Sequence, residues 1–206
     1  GPSWYWMPDV FEQFYSKFGY TTSDFYELKR LDPSYNVFWQ DGTNSEIPAS
    51  ESQLFDWFET LEKGSSIKLK KFLKDAAYKY DVGMKDLVFK PSLKLSEFAD
   101  MRILKGLFKL QLLSSFSKYI RSYFKNDKIL SLLEFPILFL GAMPKDTPAL
   151  YSLMNYADIS LGTWYPMGGM FNIIEAFEKI AVENGVKILT NQEVTGIKYE
   201  KDHVTH

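Results

Sequence analysis

Cysteine is absent from the 206 residues. That excludes disulfides, thiolate nucleophiles and Cys-built metal sites, and it fits a reducing compartment such as the cytoplasm. The two histidines, His203 and His206, both lie at the tail. A Ser-His-Asp triad or a His-ligated metal centre in the body of the chain is therefore excluded, and no metal site is expected. The net charge is only −2, so nothing in the overall balance points to nucleic acid. No apolar run reaches the roughly 18 residues that a spanning helix needs, and no signal peptide is recognisable. Neither a G-x-G-x-x-G fingerprint nor a G-x-x-x-x-G-K-[ST] phosphate loop occurs.

Aromatic residues, by contrast, make up 17% of the chain. So many rings must fill a large core, an apolar ligand site or a buried interface. The sequence begins at Gly1-Pro2 without methionine and stops inside the strand-like YEKDHVTH. We expect it to be a piece of a larger protein.

Along the chain, Val10, Phe11, Phe14, Tyr15 and Phe18 recur at helical spacing ahead of Gly19. Strand-like pieces then flank two turn signals, Asp32-Pro33 and Asp41-Gly42, and predict a small antiparallel sheet. Ser50 to Gln53 reads as a capping box before a helix with the stripe Leu54, Trp57, Phe58 and Leu61. The next helix carries Leu69, Phe72, Leu73, Ala76 and Tyr80 on one face, and Ser96 caps another. The pattern from Arg102 to Phe124 is helical with a break near Ser114-Ser115, and a short helix ends at Pro136. Thr147-Pro148 opens a further helix, PALYSLMNYA. The stretch TWYPMGGMFNIIEAFEKIAVENG leads through a helix into two predicted strands, VKILT and EVTGIKY. The fold expected is α+β or mixed α/β: a small, mostly antiparallel sheet with a large helical block inserted between its segments. Residues 1–160 would form one region and residues 161–206 a strand–helix–strand segment.

Gly168 and Gly169 stand just before that last helix. Adjacent glycines serve either a tight turn at positive φ or a bare surface on which a flat ligand can lie. Between Met101 and Lys128 there are seven basic residues against one acidic. Arg102, Lys105 and Lys109 share a helical face, while Phe116, Tyr119, Tyr123 and Phe124 lie on another. This is the pattern of a helix resting on a membrane surface, or of a core stripe with a solvated basic face. Glu134 in LLEFP and Asp158 in YADIS are carboxylates in apolar settings, where burial raises a pKa, and are the candidate proton acceptors.

The segment LGTWYPMGGMFNIIEAFEKIAVENGVKILTNQEVTGI resembles the phytoene desaturase branch of the flavin-dependent amine-oxidase-like superfamily. GPSWYWMPDVFEQFYSKFG, YELKRLDPSYNVFWQDG and FPILFLGAMPKDTPALYSLMNYADI resemble further segments of that family in the same order. The resemblance implies an FAD-dependent oxidoreductase that introduces conjugated double bonds into a long apolar polyene. It also implies that this chain is the middle, substrate-binding part of a two-domain flavoprotein, with the FAD fingerprint elsewhere. Pro166, Gly168, Gly169 and Val194 would then approach the cofactor. Trp164, Tyr165, Phe135, Phe139 and Trp39 would line the substrate path, and a peripheral membrane location would follow from so lipophilic a substrate. A lipophile-binding module without chemistry, or a related polyene isomerase or retinoid saturase, are the alternatives.

Overall fold

Pro8 at the first helical position starts helix α1 (Pro8–Ser16), and the chain leaves it through Gly19 at φ +79°. A computed structural model describes residues 4–88, 111 and 114–205. After α1 come β1 (Leu28–Arg30), β2 (Tyr35–Phe38) and β3 (Asn44–Ile47), then α2 (Glu51–Leu61) and α3 (Ser65–Val82). Helices α4 (Phe116–Tyr123) and α5 (Asp127–Glu134) follow. Residues 149–161 form an irregular run: a 3₁₀ turn (Ala149–Ser152), one α turn (Leu153–Asn155) and a π turn (Tyr156–Leu161). Strand β4 (Trp164–Pro166), helix α6 (Phe171–Glu183) and the short β5 (Tyr199–Glu200) and β6 (His203–Val204) complete the order. The mixed helix-and-strand class is as expected.

The sheet differs from expectation. Among the described residues the strands form three separate antiparallel pairs, β1–β4, β2–β3 and β5–β6. Asp41-Gly42 does close a hairpin, with Tyr35 opposite Ile47 and Gly42 at φ +82°. Asp32-Pro33 does not. Past it the chain changes partner, and β1 pairs with β4 some 130 residues on, Lys29 opposite Tyr165. The strands predicted at VKILT and EVTGIKY are not formed beyond the Tyr199–Glu200 pair. A ladder needs a partner edge, and residues 186–197 find none among the described residues. Val186, Leu189, Val194 and Ile197 are accordingly exposed.

Two apolar cores result. The larger is built by α2, α3, α4, α5 and the turns after α5, with Phe58, Leu69, Phe72, Phe116, Ile120, Ile129 and Leu133 fully buried. The stripe expected on α3 lies wholly inside. The smaller core joins Tyr5, Tyr15 and Tyr26 to Ile173, Ala176 and Ile180 of α6. Its three tyrosine hydroxyls form a chain, Tyr15 to Tyr26 at 2.9 Å and Tyr26 to Tyr5 at 3.1 Å. Residues 5–28 thus pack on residues 164–180.

Helix ends follow local chemistry, with some departures. Ser115 accepts from the Lys118 amide, which explains the break seen near Ser114-Ser115. Asn126 caps α5 in the same way. Glu62 accepts the amides of Lys125 and Asn126 at 2.7 and 3.0 Å and so fixes the α4–α5 corner to the end of α2. The capping box at Ser50 is not formed, because the Ser50 hydroxyl bonds to that of Ser52 instead. Pro148 stands at the cap position rather than inside a regular helix, and the turns that follow are irregular. Ser96 lies outside the described residues.

Lys79 is buried without a carboxylate partner among the described residues. Its ammonium donates to the Ala149 carbonyl (3.0 Å), Ser152 Oγ (2.9 Å) and Gln111 Oε1 (3.2 Å) and sits 4.0 Å from the centre of the Tyr119 ring. It thereby ties α3 to the irregular run. Burial pulls its pKa down to about 8, against the upward pull of Asp75. Between pH 8 and the ordinary lysine value near 10.5, the unfolded chain therefore binds the extra proton, and stability rises with pH. Relative to Lys79→Met, the protein should gain about 1–2 kcal/mol between pH 7.5 and 9.5. Denaturant midpoints of both proteins at the two pH values test this, and a constant difference would refute it.

Candidate functional site

An open pocket of about 560 Å³ lies between the β2–β3 hairpin and α5, walled by Trp4, Tyr35, Val37, Trp39, Leu132 and Phe135. Along the hairpin Tyr35, Val37 and Trp39 are half-buried, while Asn36 and Phe38, which also border the pocket, are exposed. Trp4 is the hub of its aromatic wall. It lies 5.0 Å from Tyr35, 5.7 Å from Phe135 and 5.8 Å from Phe139, ring centre to ring centre. At the rim, the Trp39 indole donates to Ser45 Oγ, and Lys128 bonds Asp41 at 2.9 Å while standing over the Trp39 ring. These contacts hold the hairpin against α5.

Of the five residues expected to line a substrate path, Trp39 and Phe135 border this pocket, and Phe139 packs on Trp4 and Phe135 without lining it. Trp164 and Tyr165 do neither. They belong to β4, where Trp164 packs on the smaller core and donates to the Leu161 carbonyl. Sequence reading missed Trp4 and Tyr35. The period-2 pattern of Tyr35, Val37 and Trp39 was the available signal for the second, and no local signal identifies the first.

Behind the pocket wall the Tyr35 hydroxyl donates to Asp158 Oδ2 at 2.8 Å. Asp158 is 4% exposed, and its Oδ1 has no hydrogen-bond partner among the described residues. Burial pushes the carboxyl up to about 6, against the Tyr35 hydroxyl and the nearby Thr163 hydroxyl, which itself accepts from the Trp6 indole at 3.2 Å. Burial, with the neighbouring Asp158 carboxylate added to it, holds the Tyr35 phenol well above its usual range. Glu134, the other candidate acceptor, is paired with Arg121 on the surface between α4 and α5. Its role is to join two helices.

The glycine turn follows β4. Gly168 and Gly169 have φ of +93° and +112°, and the turn is closed by a Gly169 amide bond to the Pro166 carbonyl. The two differ in what surrounds them. A Cβ at Gly168 would stand 2.6 Å from Asn172 Nδ2, which donates to the Met167 carbonyl. A Cβ at Gly169 would meet only the Tyr165 hydroxyl, at 3.9 Å. Gly169 therefore presents bare backbone beside an aromatic side chain, a surface that suits a flat ring. Val194 lies outside any helix or strand and is 77% exposed.

The aromatics expected to face a membrane do not. Phe116, Tyr119 and Phe124 are buried in the larger core, and Tyr123 packs against it with its hydroxyl on Asp75. The helix does have one apolar face, but α3 covers it. Arg102, Lys105 and Lys109 lie outside the described residues. Among the exposed apolar residues, Leu138, Phe139, Leu140 and Met143 lie close together in sequence, and Phe139 packs on Trp4 of the pocket wall.

The sequence pattern of the family described as flavin containing amine oxidoreductase matches residues 1–206. A carotenoid 3,4-desaturase of Haloarcula japonica is 32% identical over 203 residues, which is 98% of this chain and 41% of that protein. A 4,4'-diapophytoene desaturase (4,4'-diaponeurosporene-forming) of Staphylococcus aureus is 29% identical over 197 residues, 96% of this chain and 39% of that protein. The chain thus spans about two fifths of the length of these curated relatives.

Two outcomes follow from this geometry. Gly169→Ala should lower stability by about 1–2 kcal/mol, the usual penalty for a side chain at positive φ. Gly168→Ala should cost more, because Asn172 must also give way; equal thermal shifts would contradict the packing described. Asp158 has a folded pKa above its unfolded value, so its favourable neutral form is fully present below pH 4 and is lost as pH rises through 6. Asp158→Asn should therefore stabilise the protein at pH 7.5 by up to about 3 kcal/mol relative to its effect at pH 4. Melting temperatures of both proteins across that range measure it.

Proposed function

The chain belongs to the flavin-containing amine oxidoreductase family, and from that membership we propose that it supplies the substrate-binding side of an FAD-dependent carotenoid desaturase. Since the relatives are more than twice as long, the reaction belongs to a longer polypeptide. The pocket of Trp4, Tyr35, Val37, Trp39, Leu132 and Phe135 is the observation that carries this reading. A hydrocarbon has no polar handle, so it is recognised by shape and apolar contact, and a wall of tilted rings offers both. In this reading residues 1–160 contain the substrate side, with α2 through α5 as a helical block inserted between sheet segments. Residues 161–206 lead back toward the flavin.

When bound, FAD supplies the hydride acceptor for the desaturation. Pro166, Gly168 and Gly169 suit its ring through the bare backbone at Gly169, and Val194 offers free main chain to the rest of the cofactor. Tyr35, Trp39 and Phe135 hold and orient the polyene and keep water from it. Among the described residues no helix is long and apolar enough to cross a membrane. We assign peripheral membrane contact to Leu138, Phe139, Leu140 and Met143, beside the pocket from which a lipophilic substrate would enter.

The test is expression of the full-length polypeptide in cells that accumulate a colourless long-chain polyene. The product should absorb at longer wavelength and weigh less by one pair of hydrogens per new double bond. A product of unchanged mass but altered double-bond geometry would make the protein an isomerase. Unchanged substrate would leave a lipophile-binding module. The 206-residue chain by itself should purify without stoichiometric flavin, and a preparation with flavin absorbance near one equivalent would overturn the placement of the main cofactor site outside it.

A further inference from the structure

Asp158 is an expensive residue to keep in its place. It is a carboxyl 96% removed from solvent, with one oxygen unpartnered and no lysine or arginine paired to it among the described residues. Buried polar atoms without partners are rare in folded proteins and mark either an unseen partner or a functional demand. The element that carries it, the π turn Tyr156–Leu161, is itself a departure from regular helix of the kind that recurs at functional sites. The carboxylate does not line the pocket. Its one hydrogen bond, from the Tyr35 hydroxyl, crosses 123 residues of sequence to a ring that does.

Tyr35 in turn supports the rest of the wall. Its ring lies 5.0 Å from Trp4 and 6.2 Å from Phe135, and Trp4 contacts Phe139 and Trp6. A tyrosine released at its hydroxyl end can rotate about its side-chain torsions, and Trp4 then loses the surface against which it is tilted. We propose that Asp158 is a positioning residue for the apolar pocket: by holding the Tyr35 hydroxyl it fixes the ring on which the aromatic wall is assembled, and so sets the affinity for a rod-shaped apolar ligand. The inference deepens the proposed function and rests on its assignment of the pocket.

Three substitutions and a control test it in the full-length polypeptide, with diphenylhexatriene as a rod-shaped apolar probe read by energy transfer from tryptophan. Asp158→Leu removes the acceptor and the buried charge together. Its melting temperature at pH 8 should equal or exceed that of the wild type, while probe affinity falls at least five-fold. Tyr35→Phe should lose affinity to the same degree. Asp158→Asn keeps an acceptor oxygen for Tyr35 and should stay within two-fold of the wild type. Ser131→Trp, at the exposed rim, should block the pocket. If Asp158→Leu and Tyr35→Phe bind the probe as the wild type does, the positioning role is refuted. If Asp158→Leu and Asp158→Asn both lose stability and affinity together, Asp158 serves packing only, and the proposal again fails. If the wild type binds no probe, or Ser131→Trp leaves binding intact, the pocket reading itself falls and takes this inference with it.

Discussion

The guanidinium of Arg30 pressed onto the backbone of Gly162 is the contact on which the remaining arrangement turns. Arg30 Nη2 donates to the carbonyls of Ala49 and Ile159, at 3.0 and 3.3 Å. A Cβ at residue 162 would stand 2.7 Å from Arg30 Nε, so only glycine, here at φ +85°, admits the side chain. One residue thereby joins the end of β1, the approach to α2 and the end of the π turn. Pairing of β1 with β4 follows from the same placement, since Arg30 lies opposite Trp164. Arg30 thus stands between Ile159 of the larger core and Trp164, packed on the smaller.

The helices were legible because their information is local. The stripe on α3 and the break before α4 can be read within a few neighbours, and the structure follows them. The glycine turn was legible for the same reason, since its two positive φ values are a property of two residues. The partner of β1 was not, because register between distant strands depends on which edges meet and not on either sequence alone. The aromatic stripe of α4 shows the corresponding limit for sites. Amphipathicity says that a face is covered, whereas α3, a helix well upstream in the chain, decides that protein and not lipid covers it. Trp39, Phe135 and Phe139 were identified by composition and motif, but their union depends on Trp4, which no periodicity marks.

The high aromatic content has a further use besides filling the cores. Tyrosine repeatedly carries carboxylates in this molecule: Tyr80 with Asp9, Tyr123 with Asp75, Tyr35 with Asp158 and Tyr20 with Glu183. Each pair links segments far apart in sequence, through a ring that packs and a hydroxyl that bonds. Such links suit partly buried positions better than salt bridges, because only one partner bears charge and the desolvation penalty is smaller. They also make the tyrosines directional, so that a buried ring has one allowed orientation.

The π turn acts as a register device. A helix that widens for one turn holds one residue more than a regular helix would in the same length. The side chains beyond it are displaced around the axis by about 100°, one residue's share of a helical turn. The widened turn decides which of Ala157, Asp158 and Ile159 faces Tyr35, and it delivers Gly162 to Arg30 at its end. Loss of a single residue here would wind the turn back to a regular helix without removing any apolar mass. The chain would still have its cores, but the carboxyl and the glycine would be presented to the wrong neighbours.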